Sequence, residues 1–125
     1  MRRVKILYAE DDETLAFLTK DNLEQSGYEV THCADGNLCM ESFRKSEFDL
    51  CILDIMLPDG DGRELLTQLR SNEKTANIPV LMISAKYTAE NIQHGAYKPN
   101  GFLAKPFDID ELLDKIEGIL AGKVY

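Results

Sequence analysis

Four short apolar runs of this chain end on residues able to handle a charged group. Glu10 and Asp11 follow the run 4–9, Asp54 closes 50–54, Ser84 closes 80–84, and Lys105 follows 102–104. Each sits at a carboxyl end, so a fold that lays the runs side by side collects these residues at one rim. Two carboxylates about 4 Å apart repel by about 4 kcal/mol at an effective dielectric of roughly 20, a cost that a bound cation removes. Oxygen donors open to water suit Mg2+, which takes an octahedral shell of carboxylates, carbonyls, waters and phosphate oxygens; Mn2+ would substitute. Lys105 offers a fixed positive charge and Ser84 a hydroxyl donor, groups that position and stabilise a transferring phosphoryl. Asp54 is the carboxylate left to act as nucleophile.

The elements that must position these residues follow from periodicity. Short apolar runs alternate with helix-period segments along the whole chain, the pattern of an α/β fold with a parallel sheet and helices on both faces. Strands are predicted at 4–9, 29–33, 50–54, 80–84 and 102–104. The second is the most polar, which suits an edge position. Between them, Leu15, Leu18 and Leu23 mark a first helix stopped by Gly27, with Asn22 a mismatch on the stripe. Cys39, Met40 and Phe43 mark a second helix after the turn Asp35-Gly36, and Leu65, Leu66 and Leu69 a third. A short helix is expected over 88–94, weakly patterned and followed by Gly95 and Pro99. The last helix has the clearest signature, with Asp108 as N-cap, Glu111 completing a capping box, and Ile109, Leu112, Leu113, Ile116, Ile119 and Leu120 on one face. With no repeat, linker or low-complexity tract, residues 1–125 read as one domain.

Composition narrows the function. A net charge of −8 and a pI near 4.7 oppose direct nucleic-acid binding, which depends on Lys and Arg neutralising phosphates. No apolar run approaches the roughly 20 residues of a membrane span, and the basic start runs into Glu10, Asp11 and Asp12 without a signal-peptide core. A cytoplasmic protein is expected. Cys33, Cys39 and Cys51 lack metal-ligand spacing and read as buried reduced thiols.

Taken together, Glu10-Asp11-Asp12, the stretch from Leu53 through Asp54 and Pro58 to Gly62, Ser84-Ala85 and Lys105-Pro106-Phe107 resemble the receiver domain of bacterial two-component response regulators. The resemblance spans nearly the whole chain. It implies a single doubly wound five-stranded parallel sheet in the flavodoxin-like order 2-1-3-4-5, which sets the first and third strands side by side where ligands bind beyond the strand ends. It also implies roles: Asp54 as phosphoacceptor from a sensor-kinase phosphohistidine, and Mg2+ held by Asp11, Asp54 and the main-chain carbonyl of Met56, with Glu10 helping through water. Lys105 would pair with the Asp54 carboxylate or its phosphoryl oxygens, Ser84 would move to bond a phosphoryl oxygen, and Phe102 would rotate inward as the switch. The Lys105-Pro106 peptide bond is expected to be cis, and Met56 and Lys86 match positions that tune hydrolysis of the acyl phosphate. The implied partners are a histidine kinase or histidine phosphotransfer protein on one side and an output domain, a target or a second copy near Phe102 on the other. Such a protein catalyses its own phosphorylation and dephosphorylation without turning over a separate substrate. Pro99-Asn100-Gly101 departs from the family's usual Gly-Ala-Asp-Asp before the aromatic, so the output face is where this chain differs.

Blander readings compete at each motif. Glu10-Asp11-Asp12 also suits a helix start favoured by the dipole. Asp59-Gly60-Asp61-Gly62 reads as turn chemistry, with no role for Asp59 or Asp61, and fails as a calcium loop because Glu64 stands where glycine is needed. Phe102 also reads as plain core, and His32 and His94 as structural or surface residues. An alternative of another class, a haloacid dehalogenase-type phosphatase, needs Asp-x-Asp directly after a strand; here Ile55-Met56 follows Asp54 and Asp59-x-Asp61 lies beyond Pro58. A receiver-like module that is never phosphorylated would not need the full acid, hydroxyl and lysine set. A flavin-binding relative would need a hydroxyl-rich phosphate loop where this chain has acids.

Overall fold

The apolar runs that lack helical period form one parallel sheet, because strands buried on both faces need no polar alternation. In the computed structural model, which describes residues 2–85 and 98–122, the elements are β1 (Lys5–Ala9), α1 (Glu13–Gln25), β2 (Glu29–Cys33), α2 (Gly36–Lys45), β3 (Leu50–Asp54), β4 (Met56–Leu57), β5 (Gly60–Asp61), α3 (Gly62–Ser71), β6 (Val80–Ser84), β7 (Gly101–Ala104) and α4 (Ile109–Leu120). The main sheet runs β2-β1-β3-β6-β7. Counting only its own strands, this is the order 2-1-3-4-5, with the polar β2 at an edge. The expected helix over 88–94, Lys86 and His94 lie outside the described residues. The two-residue strands β4 and β5 pair antiparallel, Met56 with Asp61 and Leu57 with Gly60, in the loop that follows Asp54.

Each face of the sheet has its own core. One packs Leu7, Cys51, Leu53 and Met82 against Cys39 and Phe43 of α2 and Leu65, Leu66 and Leu69 of α3. The other packs Ile6, Tyr8, Ile52 and Ile83 against Ala16 and Leu23 of α1 and Leu112, Ile116 and Ile119 of α4. The cysteines are buried and free. The Asp108–Glu111 capping box forms in both directions, and Gly27 ends α1 at φ 101°, a left-handed conformation that favours glycine.

The face of α1 differs from the leucine stripe. Ala16, Thr19 and Leu23 are its buried residues, whereas Leu18 is 53% and Phe17 72% exposed. The reason is space. Ile6, Tyr8, Ile52 and Ile83 already fill much of that side of the sheet, so α1 packs through Ala16 and Thr19 beside Leu23 and turns Phe17 and Leu18 outward.

Candidate functional site

At the carboxyl rim of the sheet, three carboxylates and one ammonium meet. β1 ends at Ala9, and the Glu10 amide continues the β2 pairing by donating to the Cys33 carbonyl at 3.0 Å. This draws the Glu10 side chain fully inside. Asp11 stays exposed at the mouth, while Asp12 caps α1, accepting from the Leu15 amide at 3.0 Å. The helix-start reading therefore holds for Asp12. Asp54, at the end of the central strand β3, is 4% exposed. Its Oδ1 accepts the Met56 amide at 2.9 Å and its Oδ2 the Lys105 ammonium at 2.6 Å.

Lys105 reaches two acids, not one: its Nζ also lies 2.6 Å from Glu10 Oε1. The chain around it is held by the Lys105 amide, which donates to the Ser84 carbonyl at 3.1 Å, and by a cis bond to Pro106. Ser84 is thus buried at the end of β6 beside Lys105. Phe102 lies on β7 opposite Met82, half-buried against the core on the α2 and α3 side. His32 has a structural setting, its Nε2 lying 2.6 Å from the Glu10 carbonyl.

The electrostatics follow from burial and pairing. Burial pushes the Glu10 carboxyl above its ordinary value, and the Lys105 and Asp12 hydrogen bonds only partly offset this. Burial pulls Lys105 down, but hydrogen bonds and charge from Asp54 and Glu10 outweigh it, so the ammonium is held more firmly than usual. The Tyr8 phenol is raised, first by burial and further by the Glu10 and Asp54 charges, against an opposing hydrogen bond with Thr19. Oxygens of Glu10, Asp11 and Asp54 all lie within 4.8 Å of one another. A hard donor set with an exposed member at its mouth fits an oxygen-loving divalent cation that keeps some of its water.

Two features of the β3–α3 loop are not legible in the sequence. Gly62 must lack a side chain, because a Cβ there would collide with the Asp54 carbonyl oxygen and sit 3.0 Å from Ile55 Cα. Its amide donates to the Ile55 carbonyl at 2.7 Å, seating α3 directly behind Asp54. Asp-Gly pairs signal turns generally, so the dipeptide alone could not reveal this approach. Asp59 has a partner 23 residues away: its two oxygens accept the Gly36 and Asn37 amides of α2 at 2.8 and 2.9 Å. Asp61 caps α3 and chelates Arg63. Both acids of the Asp-x-Asp pair are thus committed to helix starts, and the phosphatase alternative loses its catalytic pair.

Known proteins share this fold and family. Residues 6–117 match the family model of the response regulator receiver domain. The chain is 35% identical over 119 residues to transcriptional regulatory protein RprY of Bacteroides fragilis, covering 94% of this chain and 50% of that one. It is 37% identical over 117 residues to response regulator ArlR of Staphylococcus saprophyticus, covering 93% and 52%. The chain therefore spans about half the length of these curated relatives. Among solved structures, chemotaxis response regulator CheY4 of Vibrio cholerae superposes with a TM-score of 0.89 at 28% identity, covering 94% of this chain and 99% of that one.

Proposed function

This chain belongs to the family of response regulator receiver domains, phosphoryl-accepting signalling switches, and from that premise we propose that Asp54 is the acceptor and that Mg2+ is the ion beside it. One observation carries the reading: the Asp54 carboxylate, nearly buried at the end of the central strand, meets Lys105 at 2.6 Å and stands within 4.8 Å of Glu10 and Asp11 oxygens. Asp11, Asp54 and the Met56 carbonyl would hold the ion, with Glu10 acting through water. Bound there, Mg2+ supplies positive charge to the phosphoryl oxygens.

The residues of the chain do the rest. A carboxylate oxygen of Asp54 attacks the phosphorus of a phosphohistidine, the P–N bond breaks as the O–P bond forms, and the departing imidazole takes up a proton. The Met56 amide fixes the plane of the carboxylate, so little reorganisation is needed at the moment of transfer. Lys105 neutralises charge that grows on the phosphoryl oxygens. When a phosphoryl occupies Asp54, Lys105 and the Ser84 hydroxyl turn to it, and Phe102 repacks against the core on its side of the sheet. Phosphorylation in this way shifts a balance between two states rather than creating a new shape.

The chain works in the cytoplasm, and its partners are a histidine kinase or histidine phosphotransfer protein and, near Phe102, an output domain, a target or a second copy. The greater length of the curated relatives supports the output domain. Among the described residues no helix is long and apolar enough to cross a membrane. Acetyl phosphate with Mg2+ tests the acceptor: intact-mass analysis is expected to show one added phosphoryl on the wild-type chain and none on Asp54→Asn. An unlabelled wild-type chain, beside a labelled receiver control, would defeat the reading.

A further inference from the structure

The loop that follows Asp54 is held at both ends and at its tip. At its start the Met56 amide bonds Asp54 Oδ1, and at its end the Gly62 amide bonds the Ile55 carbonyl. Between these, the β4–β5 pairing turns the chain at Pro58 and Asp59. From this tip Asp59 sends both carboxylate oxygens across to the first two amides of α2, Gly36 at 2.8 Å and Asn37 at 2.9 Å. Gly36 makes the approach close: a Cβ there would meet Asp59 Oδ1 at 3.3 Å. α2 has its own cap as well, since Asp35 accepts the Leu38 amide at 2.8 Å. The helix start is thus served twice, once from within and once by the loop.

We infer that Asp59 is a positioning residue for the phosphoryl site, tying the loop that carries the Met56 carbonyl to the start of α2. The inference rests on the reading that this carbonyl helps hold Mg2+. Although Asp59 is exposed, its two charge-assisted hydrogen bonds join the loop tip to a helix 22 and 23 residues away and so restrict the loop. A ligand held by its outer supports loses affinity when those supports go, while the chemistry at full occupancy changes little. Linkage requires the reverse effect too: an ion that orders the loop must also steady the Gly36 and Asn37 amides.

The experiment is Mg2+ titration by calorimetry, with the rate of phosphorylation by acetyl phosphate followed against Mg2+ concentration. Asp59→Ala is expected to weaken Mg2+ binding about tenfold, the lower end of what loss of an outer-sphere partner does at metal sites. Its rate at saturating Mg2+ should stay within about twofold of wild type, a split between binding and chemistry. Asp59→Asn, which keeps one acceptor oxygen, should fall between. Asp35→Ala removes the cap that α2 supplies for itself and serves as the control for a merely structural effect; it should bind Mg2+ like wild type. Mg2+ should also slow hydrogen exchange at Gly36 and Asn37 in the wild-type chain and not in Asp59→Ala. Unchanged affinity in Asp59→Ala, or an equal loss in Asp35→Ala, overturns the inference while Asp54 is still labelled normally. Labelling of Asp54→Asn would instead overturn the acceptor reading.

Discussion

Lys105 and Arg2 make ion pairs of the same length in very different surroundings. Lys105 Nζ lies 2.6 Å from Asp54, with side chains 17% and 6% exposed. Arg2 lies 2.6 Å from Asp49, with 69% and 26% exposed. The inner pair belongs to a network, because Lys105 also holds the fully buried Glu10. The outer pair stands at the opposite end of the sheet, where water screens it. Distance therefore says little about what an ion pair contributes; the environment of its charges decides, since a buried charge that loses its partner cannot turn to solvent.

The largest effect expected from this contrast is at Lys105. Lys105→Met leaves Glu10 and Asp54 facing each other unpaired, and breaking a buried pair in this way costs about 3–5 kcal/mol. Urea denaturation at neutral pH without divalent cations should show that loss, and added Mg2+ should restore part of it. A loss below about 1 kcal/mol would place the pair in the exposed class.

Next comes the pH dependence of the inner network. Glu10 is raised by burial, so the folded state binds its proton more tightly than the unfolded one. In metal-free buffer its contribution improves as pH falls from neutral through the raised value toward 4.5, the ordinary carboxyl value. Asp49 has the opposite sign. Its Arg2 partner lowers it from 3.8, so its contribution is intact above that value and is lost as pH falls through the lowered one. Melting temperature should therefore rise on mild acidification and drop below about pH 3.8. Glu10→Gln should flatten the rise and leave the acid drop; an unaltered profile would show that burial of Glu10 has no such consequence.

A smaller change is expected from Asp49→Ala. Most of it comes not from the ion pair but from the Lys5 amide, which donates to Asp49 at 2.8 Å and would be left unpaired, at a cost of about 1 kcal/mol. The smallest is Lys45→Ala, which removes a pair with Glu41 whose side chains are 71% and 48% exposed. Its denaturation midpoint should match wild type. A marked shift there would erase the contrast between inner and outer pairs.

Much of this protein could be read from its residues in order. Near-continuous apolar runs marked five strands because strands covered on both faces carry no polar alternation, and the polar run 29–33 belonged at an edge. Asp108 and Glu111 announced α4 because a capping box is built from side chains three residues apart. The chemistry-bearing residues were legible for a related reason: each closes or directly follows a strand, and parallel strands bring their carboxyl ends to one rim.

What the order of residues left open was everything set by contacts between distant parts. α1 carries larger apolar residues on the side it exposes, Phe17 and Leu18, than on much of the side it buries. Counting leucines found Leu23 but misplaced Leu18, because the helix meets the sheet through Ala16 and Thr19 as well as Leu23. Asp59 looked like a turn residue because its partners lie 22 and 23 positions away. Glu10 looked like one acid among three until burial set it against Lys105. Local sequence determined which elements form and which residues stand at their ends, since hydrogen-bond periodicity and capping act over a few residues. Tertiary structure alone decided which side chains lose water and which charges face each other, because both depend on groups far apart in the chain arriving in the same small volume.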